Sequence, residues 1–167
     1  TERCTTNLER AALNDRDYMA RVRAMEGRLY RIAQAMLWRD ADCADAIQEA
    51  VFRGWMKKGQ INEPAYFETW LIRILINQCQ DVLRRRKRDP LPLDIETGQE
   101  DRLCEDVHLR ACLKRLPEEY RIPLLLHHLE GYSIRDVAKM LCLPEKRVTA
   151  RLYRARKALR ALLDGGD

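Results

Sequence analysis

Apolar residues recur along this chain at helical spacing and nowhere convincingly at the spacing of a strand. Leu29, Ile32, Ala33 and Met36 fall at i, i+3, i+4 and i+7, one stripe of a helix. Ala44, Ile47, Val51 and Trp55 repeat the pattern on a second helix. Phe67, Trp70, Leu71, Ile74, Leu75, Gln78 and Val82 outline a longer third. Gly54 and Gly59 flank the expected end of the second helix, and residues 60–66, with Pro64, read as a loop. The pattern stops at Asp89, Pro90 and Pro92. Residues 89–106 are acidic and weakly patterned, with Asp94, Glu96, Glu100, Asp101, Glu105 and Asp106, and they predict a flexible linker. Periodicity resumes at Val107. The expected fold is all-α: two small helical domains, 8–88 and 107–163, joined by that linker.

The second half carries the sharpest local signal. Gly131 ends one helix, and Ser133 followed by Asp136 reads as an N-cap of capping-box type. Ile134, Val137, Ala138 and Leu141 then form one apolar face. A break at Cys142 and Leu143 leads to Pro144, placed as the first residue of the next helix. There Val148, Leu152, Ala155 and Leu159 face inward, while Arg147, Arg151 and Arg154 line the other side, flanked by Lys146, Arg156 and Lys157. A short helix, a tight turn and a basic second helix are the parts of a major-groove reader. Arginine can bond guanine bidentately or anchor a phosphate. A plain helical hairpin with a solvated basic face has the same pattern, so both readings stand at this point. Upstream, Pro123 lies inside the helix expected from Pro117 and predicts a kink there.

Two further polar faces lie in the first half. Arg73, Asn77, Gln80 and Arg84 form a stripe opposite the apolar face of the third helix, which runs out into a cluster of arginines and a lysine at 84–88 that includes Arg85. Asparagine and glutamine can read base edges, and the basic cluster suits phosphate. Tyr66, at the head of this helix, is a candidate to stack on an unpaired base; the spacing of Phe67 and Trp70 assigns them to the core. On the second helix Asp42, Asp45, Gln48, Glu49 and Phe52 make an acidic patch ending in an aromatic. It would repel DNA, which leaves a protein partner or plain solvation as its use.

Charge and composition narrow the field modestly. The chain has 167 residues and a net charge of +5, from 31 Lys and Arg against 26 Asp and Glu. This permits a nucleic-acid partner without requiring one. No run approaches the roughly 18–20 apolar residues of a membrane span, and residues 1–10 have no apolar segment of a secretory signal. The reading is therefore cytoplasmic. The 6 cysteines include no CxxC pair, which argues against a disulfide framework or a zinc site. Cys43 and Cys79 are expected in the core. His108, His127 and His128 lack a paired nucleophile or metal-ligand spacing, so neither catalysis, cofactor nor metal is expected.

Three signatures then coincide in order. The segment 42–52, with Asp42, Asp45, Gln48, Glu49 and Phe52, resembles the polymerase-binding segment of the sigma-70 superfamily. The segment 66–77, with Tyr66, Phe67, Trp70, Leu71, Arg73 and Asn77, ends in the arginine cluster and resembles its −10 recognition and melting segment. Residues 116–121, 131–134 and 151–156 resemble its −35 recognition domain. The short length without a central domain is similar to the extracytoplasmic-function (ECF) group. The resemblance implies a non-enzymatic transcription initiation factor that binds core RNA polymerase, through the β′ clamp helices and the β subunit, and promoter DNA. It also implies a membrane-anchored anti-sigma factor. Asp42, Asp45, Gln48, Glu49 and Phe52 would meet β′; Asn77, with Arg73, Gln80, Arg84, Arg85 and Tyr66, would meet the −10 element. Arg147, Thr149, Ala150, Arg151, Tyr153, Arg154 and Arg156 would meet the −35 element. Lys146 and Arg147 stand where the family often has a Gly-Thr pair, Cys142 where glycine is frequent, and Ala150 where serine is common. A linker of about 20 residues reaches at most roughly 66 Å, near two turns of B-DNA at about 34 Å each. The rivals are a stand-alone helix-turn-helix regulator and a protein-binding helical adaptor.

Overall fold

The computed structural model describes residues 13–88 and 107–165. The expected linker and the first residues of the expected 8–88 domain lie outside them. The first module is a three-helix bundle of α1 (Asp15–Leu37), α2 (Asp40–Lys57) and α3 (Phe67–Arg88). Asn14 caps α1, its side chain accepting from the Asp17 amide at 2.8 Å. The predicted stripe of Leu29, Ile32, Ala33 and Met36 is buried, extended toward the N-terminus by Tyr18, Val22 and Met25. Trp38 takes a left-handed conformation, φ 62°, and turns the chain from α1 into α2. Two single 3₁₀ turns, Lys58–Gln60 and Pro64–Tyr66, stand at the two ends of the predicted 60–66 loop.

α2 departs from its predicted register. Its buried residues are Cys43, Ala46, Ala50 and Gly54, while Ile47 and Val51 sit half-buried at the flank and Ala44 and Trp55 are exposed. Small side chains let two backbones approach closely, so the stripe of weak hydrophobes faces the bundle and the large ones flank it. α2 ends at Lys57, between Gly54 and Gly59 as expected, with Gly54 in its last turn. A Cβ there would run into the Tyr18 hydroxyl and meet Leu71 at 3.1 Å. Tyr18 is fully buried, stacks edge-on against Phe67 and donates to the Val51 carbonyl at 2.7 Å. Burial pushes its phenol up to about 12.

The second module comprises α4 (Val107–Arg115), α5 (Glu118–Leu124), α6 (Ile134–Leu141) and α7 (Glu145–Asp164). Pro123 sits inside α5, and directly after it the helix widens into one π-helical turn, Leu125–Leu129, closed by Glu130 N–H to the Leu125 carbonyl at 3.0 Å. Gly131 follows at φ +77°. Ser133 caps α6 as expected, accepting from the Asp136 amide at 3.1 Å and donating to its carboxylate at 2.7 Å. Val137, Ala138 and Met140 of α6 and Val148, Leu152 and Ala155 of α7 are buried. Pro144 is the N-cap of α7, not its first helical residue. Cys142 ends α6 in the left-handed conformation, φ 54°, which explains why glycine suits that position.

The two modules pack directly against each other, α6 on α3 and α5 on the end of α1, and their buried residues form one cluster. Arg121 of α5 is the buried link. Its Nε donates to the Ala35 carbonyl of α1 at 2.6 Å, and its Nη1 donates to the Leu113 and Leu116 carbonyls of its own module at 3.3 and 2.7 Å. Its guanidinium lies over the Trp38 ring at 4.9 Å. No residue pattern along the chain signals this docking.

Because Gly54 admits the Tyr18 ring, Gly54→Ala is expected to lower stability by about 1–3 kcal/mol through overpacking. Combining it with Tyr18→Phe, which removes the obstructing oxygen, should cost less than the two single changes added together. Urea unfolding of all three variants checks this.

Candidate functional site

Three polar faces stand on this scaffold. On α2, Asp45, Gln48, Glu49 and Phe52 are all exposed on one side. Glu49 pairs with Arg53 at 2.6 Å, both about half exposed. Phe52 is 56% exposed and stacks on Trp55, centroids 6.5 Å apart, with Met56 65% exposed beside them on the helix. Trp55 is held by its indole N–H to Asp15 at 3.1 Å and by the Lys58 ammonium over its ring at 4.4 Å. An aromatic and aliphatic ridge open to solvent beside carboxylates fits a protein surface. The helical pattern assigns Trp55 to the core, whereas it is exposed, and the pattern does not include Met56, an apolar residue off the buried stripe. Asp42 differs from its neighbours. Its carboxylate is ion-paired with Arg86 of α3 and lies 3.9 Å from Arg39, so it is engaged inside the bundle.

On α3, Arg73, Asn77, Gln80, Arg84 and Arg85 are exposed, opposite the buried Phe67, Leu71, Leu75 and Gln78. Arg84 pairs with Asp81 at 2.9 Å. Arg86, in the same basic run, turns inward: its Nη1 donates to the Leu37 carbonyl at 3.1 Å. Burial, with the Arg39 charge nearby, lowers its pKa. Tyr66 is half exposed, and the Lys139 ammonium of α6 lies 4.6 Å from its ring centre. A hollow of about 450 Å³ opens there, lined by Arg21, Pro64, Ala65, Tyr66, Glu68 and Thr69 and, from the other module, Tyr132 and Asp136.

On α7, Arg147, Thr149, Ala150, Tyr153, Arg154 and Arg156 are exposed. The Thr149 hydroxyl donates back to the Glu145 carbonyl at 3.0 Å. Arg151 is half-buried, 3.6 Å from Glu119 of α5. No group of three or more His, Cys, Asp or Glu among the described residues has the arrangement of a metal site. Cys43 and Cys79 are buried, as expected, with burial raising the Cys79 thiol to about 12. No described helix is long and apolar enough to cross a membrane.

A helix-turn-helix with a basic second helix, beside a bundle with an exposed polar and basic stripe on α3, defines the class of two-part helical DNA-binding proteins. Family models match both parts: sigma-70 region 2 over residues 21–89 and sigma-70 region 4 over residues 107–159. The chain belongs to the sigma-70 family. It is similar to the ECF RNA polymerase sigma factor SigM of Mycobacterium tuberculosis, 35% identical over 139 residues that cover 81% of this chain and 71% of that protein. It is also similar to the RNA polymerase sigma factor SigV of Bacillus subtilis, 28% identical over 144 residues covering 83% and 86%. Among solved structures the fold matches the sigma factor RpoE in complex with the anti-sigma factor NepR from Bartonella quintana. That match has a TM-score of 0.76 at 20% identity, over 91% of this chain and 99% of that one. CnrH in complex with the cytosolic domain of CnrY matches with a TM-score of 0.70 at 23% identity, covering 95% and 94%.

The inward Arg86 and outward Arg85 should separate on substitution. Arg86→Ala leaves the half-buried Asp42 carboxylate with only the more distant Arg39 and is expected to cost about 1–3 kcal/mol, reduced from the fully buried case by residual solvent. Arg85→Ala should stay within about half a kcal/mol. Thermal or urea unfolding distinguishes them.

Proposed function

We propose that this chain directs core RNA polymerase to promoters through the three faces described above, binding rather than catalysing. The α2 face of Asp45, Gln48, Glu49 and Phe52, extended by Trp55 and Met56, docks on the β′ clamp helices. The α3 stripe of Arg73, Asn77, Gln80 and Arg84, with Arg85 on phosphate, reads the −10 element, and the Tyr66 hollow takes a base turned out of the non-template strand. The α7 face reads the −35 element, with Arg154 and Tyr153 toward bases and Arg147, Arg151 and Arg156 toward bases or backbone. Asp42 contributes by holding Arg86 and so the end of α3. The domains are 8–88 and 107–163, with 89–106 as the tether, and the protein works in the cytoplasm. A membrane-anchored anti-sigma factor is its antagonist. The observation that carries this reading is the continuous exposed Arg73–Asn77–Gln80–Arg84 stripe, backed by a buried opposite face that is apolar except for Gln78. Run-off transcription with core polymerase on a pool of genomic promoters tests it directly.

Asp45→Arg combined with Glu49→Arg is expected to abolish co-elution with core polymerase while leaving the unfolding midpoint nearly unchanged. Both positions are exposed, and the lost Glu49–Arg53 pair is worth about 0.3–0.5 kcal/mol. Normal co-elution refutes the docking face.

Readers and anchors on α7 should differ as well. Arg154→Ala is expected to change which −35 sequences the holoenzyme prefers, by about 1–3 kcal/mol on the best site. Arg156→Ala should weaken all sequences alike and lower the salt slope by about one unit. Fluorescence anisotropy on a −35 panel at several salt concentrations reads both.

A further inference from the structure

Between α7, the π-helical turn and the end of α1 lies a cavity of about 240 Å³. Its walls are aliphatic: Ala35 from α1, Leu113 from α4, Leu124 from α5, Leu125 from the π-helical turn and Leu159 from α7. The same widened turn supplies His128 and Leu129, and such turns recur at functional sites. His128, Leu129 and Arg156 are exposed and mark the mouth. Two guanidiniums border this apolar space, and neither is ion-paired among the described residues. Arg156 makes no hydrogen bond there either. Arg121 is 7% exposed and commits Nε and Nη1 to carbonyls, while its Nη2 has no hydrogen bond among the described residues. Burial, the His127 ring and the Arg156 charge all hold His128 below its ordinary value, so the positive charge at the mouth is arginine's.

We propose that this cavity is a binding site for a small amphiphilic anion, a free carboxylate carrying a compact alkyl tail. The lining selects that chemistry. Two guanidiniums repel a cation, and a nucleotide or sugar would leave polar groups unbonded against leucine. A neutral hydrocarbon would fill the walls yet leave the buried Arg121 charge without a counter-ion. A carboxylate can meet a guanidinium through two parallel hydrogen bonds, and the attraction strengthens where water is excluded. An apolar pocket with a few convergent polar groups is also the usual form of a small-molecule site. The volume limits the tail. An apolar cavity of about 150 Å³ holds a benzene ring, so this larger one suits a chain of about eight carbons. The site goes beyond the promoter reading and depends on no contact with DNA.

The test titrates octanoate into the full chain by isothermal calorimetry at constant ionic strength, with octanol as the uncharged control. Saturable one-to-one binding of octanoate is expected, with octanol at least ten-fold weaker. Hexanoate should bind about ten-fold more weakly than octanoate, roughly three- to four-fold for each methylene withdrawn from the walls. Intermolecular NOEs from octanoate to the methyls of Leu113, Leu125 and Leu159 locate the site. Leu129→Asp sets a competing carboxylate at an exposed position of the mouth and should weaken octanoate at least ten-fold. Arg156→Gln, also at an exposed position, should weaken octanoate by a similar factor and leave octanol unchanged. Equal affinity for octanoate and octanol overturns the anion site. Octanoate affinity untouched by both substitutions, or NOEs to other methyls only, overturns its location. Absence of saturable binding at millimolar octanoate overturns the proposal outright; if core polymerase then protects the same methyls, the cavity seats an apolar polymerase side chain instead.

Discussion

The carboxyl end of α1 is the point on which the rest of the structure depends. A helix ends with carbonyls that have no partner of their own, and a buried end must find donors elsewhere. Residues 32–37 are buried all round, and the last turn of α1 carries no basic residue. Trp38, turned left-handed, gives its N–H to the Gln34 carbonyl at 3.1 Å. Arg121 reaches Ala35 from the second module, and Arg86 reaches Leu37 from the end of α3. Burial lowers the pKa of each guanidinium, and arginine remains charged in proteins. A positive charge at the negative end of a helix dipole is favourable, the more so out of water. One helix terminus thereby orients α3, the α4–α5 corner and the turn into α2.

That arrangement shows what the sequence could and could not display. Ser133 with Asp136 was legible because an N-cap is a local bargain between a side chain and an amide three residues on. The exposed stripe on α3 was legible because 22 residues of regular helix keep a face in register. The buried face of α2 stands one position from the one its hydrophobic pattern predicts: Cys43, Ala46, Ala50 and Gly54 contribute through smallness, which a hydrophobic pattern weighs lightly. Module docking was invisible. Arg86 stands in a run of basic residues and Arg121 beside two glutamates, and nothing in the letters separates an arginine that caps a carbonyl from one that waits for phosphate.

The same distinction reorganises the candidate site. Of the acidic face on α2, Asp42 is drawn inward by Arg86, while Asp45, Gln48 and Glu49 stay outward with Phe52. Of the basic run on α3, Arg84 and Arg85 stay outward while Arg86 joins the core edge. On α7, Arg151 leans toward Glu119 while Arg147, Arg154 and Arg156 remain free to solvent. Charge near a binding face is thus divided between groups that stiffen the helix carrying the face and groups left to meet a partner. The stiffening groups keep the outward side chains at a constant spacing, which base-edge contacts require.

The Tyr18–Gly54 contact has a consequence beyond this one molecule. A hydroxyl lodged where a Cβ would stand makes the two positions a single unit for substitution. Any relative that gains a side chain at position 54 must shrink or displace the ring at 18, and one that loses the ring leaves a gap which a methyl at 54 can partly fill. Drift at these sites therefore proceeds in pairs, so the correlated identities of residues 18 and 54 across diverging lineages would record how closely α1 and α2 approach in each.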